Sequence, residues 1–82
     1  MDYLFKTGNE WTWSKIYYDS EKDCFIEEKY HEEYVDTGTI CDGTFLISDN
    51  ELWDILVKEA NEQGMATYIK IRGSAPSVRE EM

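Results

Sequence analysis

The chain has 82 residues, of which 18 are Asp or Glu and 8 are Lys or Arg, for a formal net charge of −10. Phosphate backbones and anionic membrane surfaces are bound by Lys and Arg, so this balance argues against direct contact with nucleic acid or with a membrane. One domain of this length buries only about 60–65% of the surface that its unfolded chain exposes, which leaves a small core and little room for a walled substrate cleft.

Met1-Asp2-Tyr3-Leu4-Phe5-Lys6 lacks the basic start and apolar stretch of a signal peptide. No apolar run approaches the length of a membrane span. The expectation is a cytoplasmic protein whose two cysteines, Cys24 and Cys41, are reduced thiols. Gly8-Asn9 signals a turn, and Trp11–Tyr18 is rich in aromatic and β-forming residues. Asp19–Asp23 has turn composition, and Cys24–Tyr30 returns as the second strand of a hairpin. Residues 21–34 also fit an acidic helix capped by Ser20, because Ile26, Tyr30 and Tyr34 recur four apart. Thr37–Cys41 and Thr44–Ile47 flank Asp42-Gly43, a strong hairpin signal.

The clearest element is a helix near 49–63. Ser48 followed by Glu51 forms a capping box, and Leu52, Ile55, Leu56 and the pair Glu59 and Ala60 fall on one side. Asp54 and Lys58 make an i,i+4 pair on the other side, and Gly64 is placed for a left-handed C-cap. Ala66–Arg72 reads as a strand on the β propensity of Tyr68, Ile69 and Ile71, ended by Gly73. The predicted architecture is a small α+β domain over residues 1–73. It has a mostly antiparallel sheet of about four to five strands and one main helix, followed by a flexible tail at 74–82.

The charge is clustered. Asp19, Glu21, Asp23, Glu27, Glu28, Glu32, Glu33 and Asp36 are opposed only by Lys22 and Lys29, a net −6 within eighteen residues. Phe25, Ile26, Tyr30 and Tyr34 interleave with them, which points to a folded surface with a strong negative field rather than a solvated tail.

The residues carry no catalytic signature. Asp19, Glu21 and Asp23 copy the spacing of the first three ligands of a calcium loop, but Cys24 stands where Gly is needed and Tyr30 where a bidentate Glu belongs. His31 is the only histidine and the cysteines are not in a C-x-x-C pair, so neither zinc nor another metal or cofactor is expected. The five glycines are scattered, with no phosphate loop. A non-enzymatic binding protein is the reading that remains.

In size, charge and aromatic content the chain resembles the small inhibitors that phages and mobile elements direct against nucleic-acid enzymes: DNA-mimic, anti-CRISPR and uracil-DNA glycosylase inhibitor proteins. The resemblance covers no motif and carries no family residue onto this chain. It implies occlusion of a basic nucleic-acid-binding site, such as that of a nuclease, in the cytoplasm of a host cell. The expected partner-binding residues are Asp19, Glu21, Asp23, Glu27, Glu28, Tyr30, Glu32, Glu33, Tyr34 and Asp36, with carboxylates standing in for phosphates. Tyr18 is a further candidate anchor, and Glu51, Asp54, Glu59 and Glu62 a helical extension. The rival expectations are an immunity or antitoxin-like protein that neutralises a basic toxin, and a plain oligomerising accessory domain that assembles through Trp11 and Trp13.

Overall fold

The computed structural model describes residues 2–33 and 38–76. Four strands, β1 (Phe5–Gly8), β2 (Thr12–Asp19), β3 (Cys24–Glu32) and β4 (Thr39–Ile47), precede two helices, α1 (Asp49–Lys58) and α2 (Glu62–Arg72). The sheet is antiparallel in the order β1-β2-β3-β4. The domain is therefore α+β, as its sequence pattern predicts. The expected tail lies at 77–82, outside the described residues, apart from its first residues 74–76.

Local chemistry sets the two tight turns. Asn9 Oδ1 accepts hydrogen bonds from the N–H groups of Trp11 and Thr12, at 2.8 and 2.9 Å. Gly8 has φ 105°, and a Cβ there would sit 2.5 Å from the Thr12 carbonyl, so only glycine fits. Asp19 Oδ1 accepts from Glu21 and Lys22 in the β2–β3 turn. That turn settles Cys24–Glu32 as the return strand of a hairpin rather than part of a helix, with Tyr34 outside the described residues: Asp19 faces Cys24 and Ile16 faces Glu27 across the pair.

Both helices lie on one face of the sheet. Phe5, Ile16, Phe25 and Ile47 point to that face and form the core with Leu52, Leu56 and Tyr68. Phe25 stacks on Tyr68 at 5.5 Å, and Trp53 leans on the same ring. Tyr68 donates to Asp49, and burial followed by that bond pushes its hydroxyl pKa up to about 12. Arg72 closes the base of the layer with ion pairs to Asp49 (2.9 Å) and Asp23.

Three local expectations are corrected. The predicted helix over 49–63 stops at Lys58, where Ala60 adopts φ 53° and reverses the chain. Asn61 then caps a second helix by accepting from Gly64 N–H. Residues 66–72, predicted as a strand, belong to that helix. Tyr68 packs into the core from it, and Gly73 at φ 93° is its C-cap rather than the end of a strand, while Gly64, expected to cap the first helix, lies inside the second. The β propensity of Ile69 and Ile71 yields to this tertiary packing. Third, Asp42-Gly43 is not a turn. β3 pairs with Thr39–Cys41 and with Gly43–Ile47, and Asp42 is the extra residue of a bulge opposite Lys29 and Tyr30 that the positive φ of Gly43 allows.

Candidate functional site

The alternation that buries Phe5, Ile16 and Phe25 sends their neighbours to a face that neither α1 nor α2 covers. The register arranges that open face in rows. Trp13, Tyr30 and Cys41 form one row; Lys6, Lys15, Glu28 and Thr44 the next; Tyr17, Ile26 and Leu46 the third. Asp19 and Cys24 lie at the end beside the β2–β3 turn.

Glu28 is the hub of this face. Its Oε1 accepts hydrogen bonds from Tyr30 (2.7 Å) and Tyr17 (2.8 Å). The two hydroxyls, Tyr30 first, hold the Glu28 carboxyl below its usual range, and the nearby Lys15 adds to this. In return the carboxylate raises the pKa of both tyrosines. At neutral pH this is an ionised carboxylate clamped by two neutral phenols. Among the described residues no donor reaches its Oε2.

The aromatic rows hold the chain's own cations. Trp13 stacks on Tyr30 with ring centroids 5.7 Å apart and planes 9° from parallel. Lys15 lies 5.2 Å from the Tyr3 ring and 5.1 Å from the Tyr30 ring, and Lys6 sits over Tyr3 and Trp13. Beside this layer, toward the β2–β3 turn, a groove of ≈ 560 Å³ is lined by Tyr17, Tyr18, Asp19, Ser20, Glu21, Ile26, Glu28 and Thr44. Three carboxylates border it, with Tyr17 and Ile26 as apolar surface, and among the described residues no Lys or Arg lines it.

The sequence-predicted site residues scatter around this picture. Asp19, Glu21 and Glu28 meet in the groove, and Tyr30 adjoins it. Glu27 points to the helix side and accepts from Ser14. Asp23 pairs with Arg72, and hydrogen bonds from Tyr18 and then Arg72 hold its carboxyl low. Glu32 accepts from Thr39 and Glu33 contacts His31, both at the far end of the β3–β4 pair. Tyr34 and Asp36 lie outside the described residues.

Tyr18 lines the groove at its β2–β3 end with its ring turned to the other side of the sheet. It packs against Phe25 and the core on the helix side. The helical extension lies on the opposite side of the sheet from the groove, and most of it is bonded within the chain: Glu51 in the capping box, Asp54 with Lys58 at 3.1 Å, Glu59 on the N–H of Gly8. Sequence reasoning missed Lys15, Tyr17, Ile26 and Leu46. The signal was available in the alternation of 13, 15, 17 against 14, 16, which assigns the first set to one face.

Both ring nitrogens of His31 face carboxylates. Nδ1 lies 2.8 Å from Asp42 and Nε2 2.7 Å from Glu33, and these partners raise its pKa. Cys24 sits at the opposite end of β3, about 23 Å away along the strand. Cys24 and Cys41 are free thiols, separated by about 20 Å of the same pairing. Among the described residues no group of three His, Cys, Asp or Glu is placed to hold a metal ion, and no helix is long and apolar enough to cross a membrane. Comparison with protein-family models, with curated proteins and with solved structures gives no match.

Proposed function

We propose that the chain is a non-enzymatic acidic binding domain that docks a basic protein surface against its open sheet face. The supporting observation is the groove in which Asp19, Glu21 and Glu28 converge over Tyr17 and Ile26 with no lining cation. A guanidinium or ammonium from a partner finds carboxylate oxygens there, and its aliphatic stem finds apolar surface. The chain's net charge of −10 adds long-range steering toward a cationic target, a factor of ~10–10³ in association rate at low salt.

The target class is a nucleic-acid-binding enzyme such as a nuclease, blocked because carboxylates occupy the Lys and Arg positions that bind phosphate. This is the mode of action of the phage and mobile-element inhibitors that the composition resembles, anti-CRISPR and DNA-mimic proteins among them. The site of action is then the host cytoplasm.

The test is retention of proteins from host lysate on two columns, the native chain and the Asp19→Asn/Glu21→Gln/Glu28→Gln variant. Each amide keeps the shape of the acid it replaces. The expected result is a nucleic-acid enzyme that binds the native chain, elutes at moderate salt, is lost from the variant and is displaced by duplex DNA or RNA. Equal retention by the variant, or indifference to added nucleic acid, would sink this reading. Neutralisation of a toxin away from its nucleic-acid site would give the second of those results.

A further inference from the structure

The two edges of the sheet are built differently. β1 is four residues long, carries Lys6, ends at Gly8 and is packed by α2. β4 is nine residues long, and Thr39, Cys41, Asp42, Thr44, Phe45 and Leu46 along it are exposed. Its outer side has no strand partner among the described residues. Sheet edges are ordinarily blunted with Lys, Pro or short strands. β4 has neither Lys nor Pro, and Asp42, already facing His31, is its only charge. The bulge opposite Lys29 and Tyr30 is its one guard, and it leaves Gly43–Ile47 as an uninterrupted pairing edge.

We propose that this edge accepts an extended basic segment of the partner as a fifth strand; the proposal rests on the reading of the chain as an acidic protein-binding domain. Charge complementarity chooses the occupant. Leu46 is 75% exposed on the open face and Phe45 47% exposed on the helix side. A strand laid along β4 sets alternate side chains beside each of them. On the open face, Thr44 is the small residue directly across from Glu28. The added strand lies about 10 Å from β3, two strand spacings, so a Lys or Arg reaching over Thr44 meets Glu28 and the groove. On the other side, Phe45 borders a second groove of ≈ 320 Å³ lined by Glu27, Lys29, Ile47, Glu51, Asp54 and Ile55, three of them acids. Acids thus line both sides of the uncharged stretch Gly43–Ile47, those on the helix side already bonded within the chain and Glu28 with its Oε2 open among the described residues. A second copy is the disfavoured occupant, because it sets −10 against −10 and offers no cation from its own β4.

The experiment titrates the full ¹⁵N-labelled chain at low salt with a capped ten-residue peptide of alternating Lys and Val. A peptide with Glu in place of Lys is the control, and amide exchange in β4 is followed alongside chemical shifts. The expected result is saturable binding of the Lys peptide alone, with exchange of the outward amides of Gly43–Ile47 slowed at least tenfold. Leu46→Lys should weaken that binding at least tenfold with an unchanged circular dichroism spectrum, because the side chain it replaces is mostly in solvent. Binding that shifts Tyr17 and Glu28 without protecting β4 overturns strand addition while the acidic docking face survives. Equal binding of the Glu peptide overturns the basic partner. Failure of both peptides, or self-association through β4, overturns the proposal, and the lysate experiment then judges the docking face separately.

Discussion

Gly64→Ala tests how α2 is seated. Gly64 is buried in the first turn of that helix, and its φ is not in the left-handed region, so its backbone conformation is open to alanine. In an unobstructed helix the change would stabilise by up to ~1 kcal/mol. Here a Cβ would stand 2.5 Å from Leu56 Cδ2 and 3.1 Å from two carbons of the Phe5 ring. Resting carbon contacts are about 3.5–4.0 Å. The methyl of Leu56 is the end of a side chain, but Leu56 is fully buried and Phe5 is 3% exposed, so neither can swing into solvent. Overpacking of that kind costs ~1–3 kcal/mol. Both Leu56 and Phe5 must give way, which places the penalty in the upper part of that range and leaves a net loss of up to about 2 kcal/mol. In a domain of this size each kcal/mol lowers the melting temperature by ~4–8 °C. Urea unfolding followed by circular dichroism measures the loss, with the slope expected to stay at its native value. Gln63→Ala, next door but exposed, should change stability by no more than ~0.5 kcal/mol. A Gly64→Ala chain as stable as the native one, or more so, would show that α2 does not press on Phe5 and Leu56.

Asn61→Ala removes both the cap on Gly64 N–H and the Nδ2 hydrogen bond to the Lys6 carbonyl, and should cost ~1–2 kcal/mol in thermal unfolding; Asn61→Asp keeps the acceptor and should lose less. His31 should titrate by NMR above its ordinary value, and Asp42→Asn should bring it down, since Asp42 is the larger of its two partners. Because its folded pKa is raised, its contribution to stability is full below the unfolded value near ~6.5 and fades as pH rises through the folded value. Stability should therefore decline across that window in the native chain and decline less in Asp42→Asn. Glu28→Gln should move the alkaline absorbance titration of Tyr17 and Tyr30 down toward their ordinary value; an unmoved titration would mean that the shared acceptor is not there. Glu28 itself, with its pKa depressed, supports the fold above its unfolded value near ~4.3, and that support is lost as pH falls through the folded value.

The parts of the fold that local chemistry decides were legible. Ser48 and Glu51 mark the start of α1 because their capping box uses only neighbouring atoms, and both of its bonds are present. Asn9 and Asp19 mark turns for the same reason. What long-range contacts decide was not legible. Locally Gly43 signals a hairpin turn and Gly64 a helix C-cap, yet one sits at a bulge opposite Lys29 and the other lets Phe5 and Leu56 approach a helix. Tyr68, Ile69 and Ile71 look like a strand until Tyr68 has Phe25 and Trp53 to pack against, and a helix from Asn61 is what carries it there.

The candidate site divides along the same line. A run of acids in sequence is not a field in space when the run is a strand, because successive side chains leave on opposite faces. Glu27 and Glu28 are adjacent in the chain, yet one bonds Ser14 on the helix side and the other collects two tyrosine hydroxyls on the open side. The turn residues Asp19, Glu21 and Asp23 divide as well: two line the groove and the third neutralises Arg72. Within the 19–36 segment, every predicted acid among the described residues apart from Glu21 accepts a hydrogen bond or ion pair from the chain itself. Most of the acidic segment thus serves turns, pairs and caps. The charge available to a partner gathers where the β2–β3 turn brings Asp19 and Glu21 beside Glu28, over the one broad face that the helices leave bare.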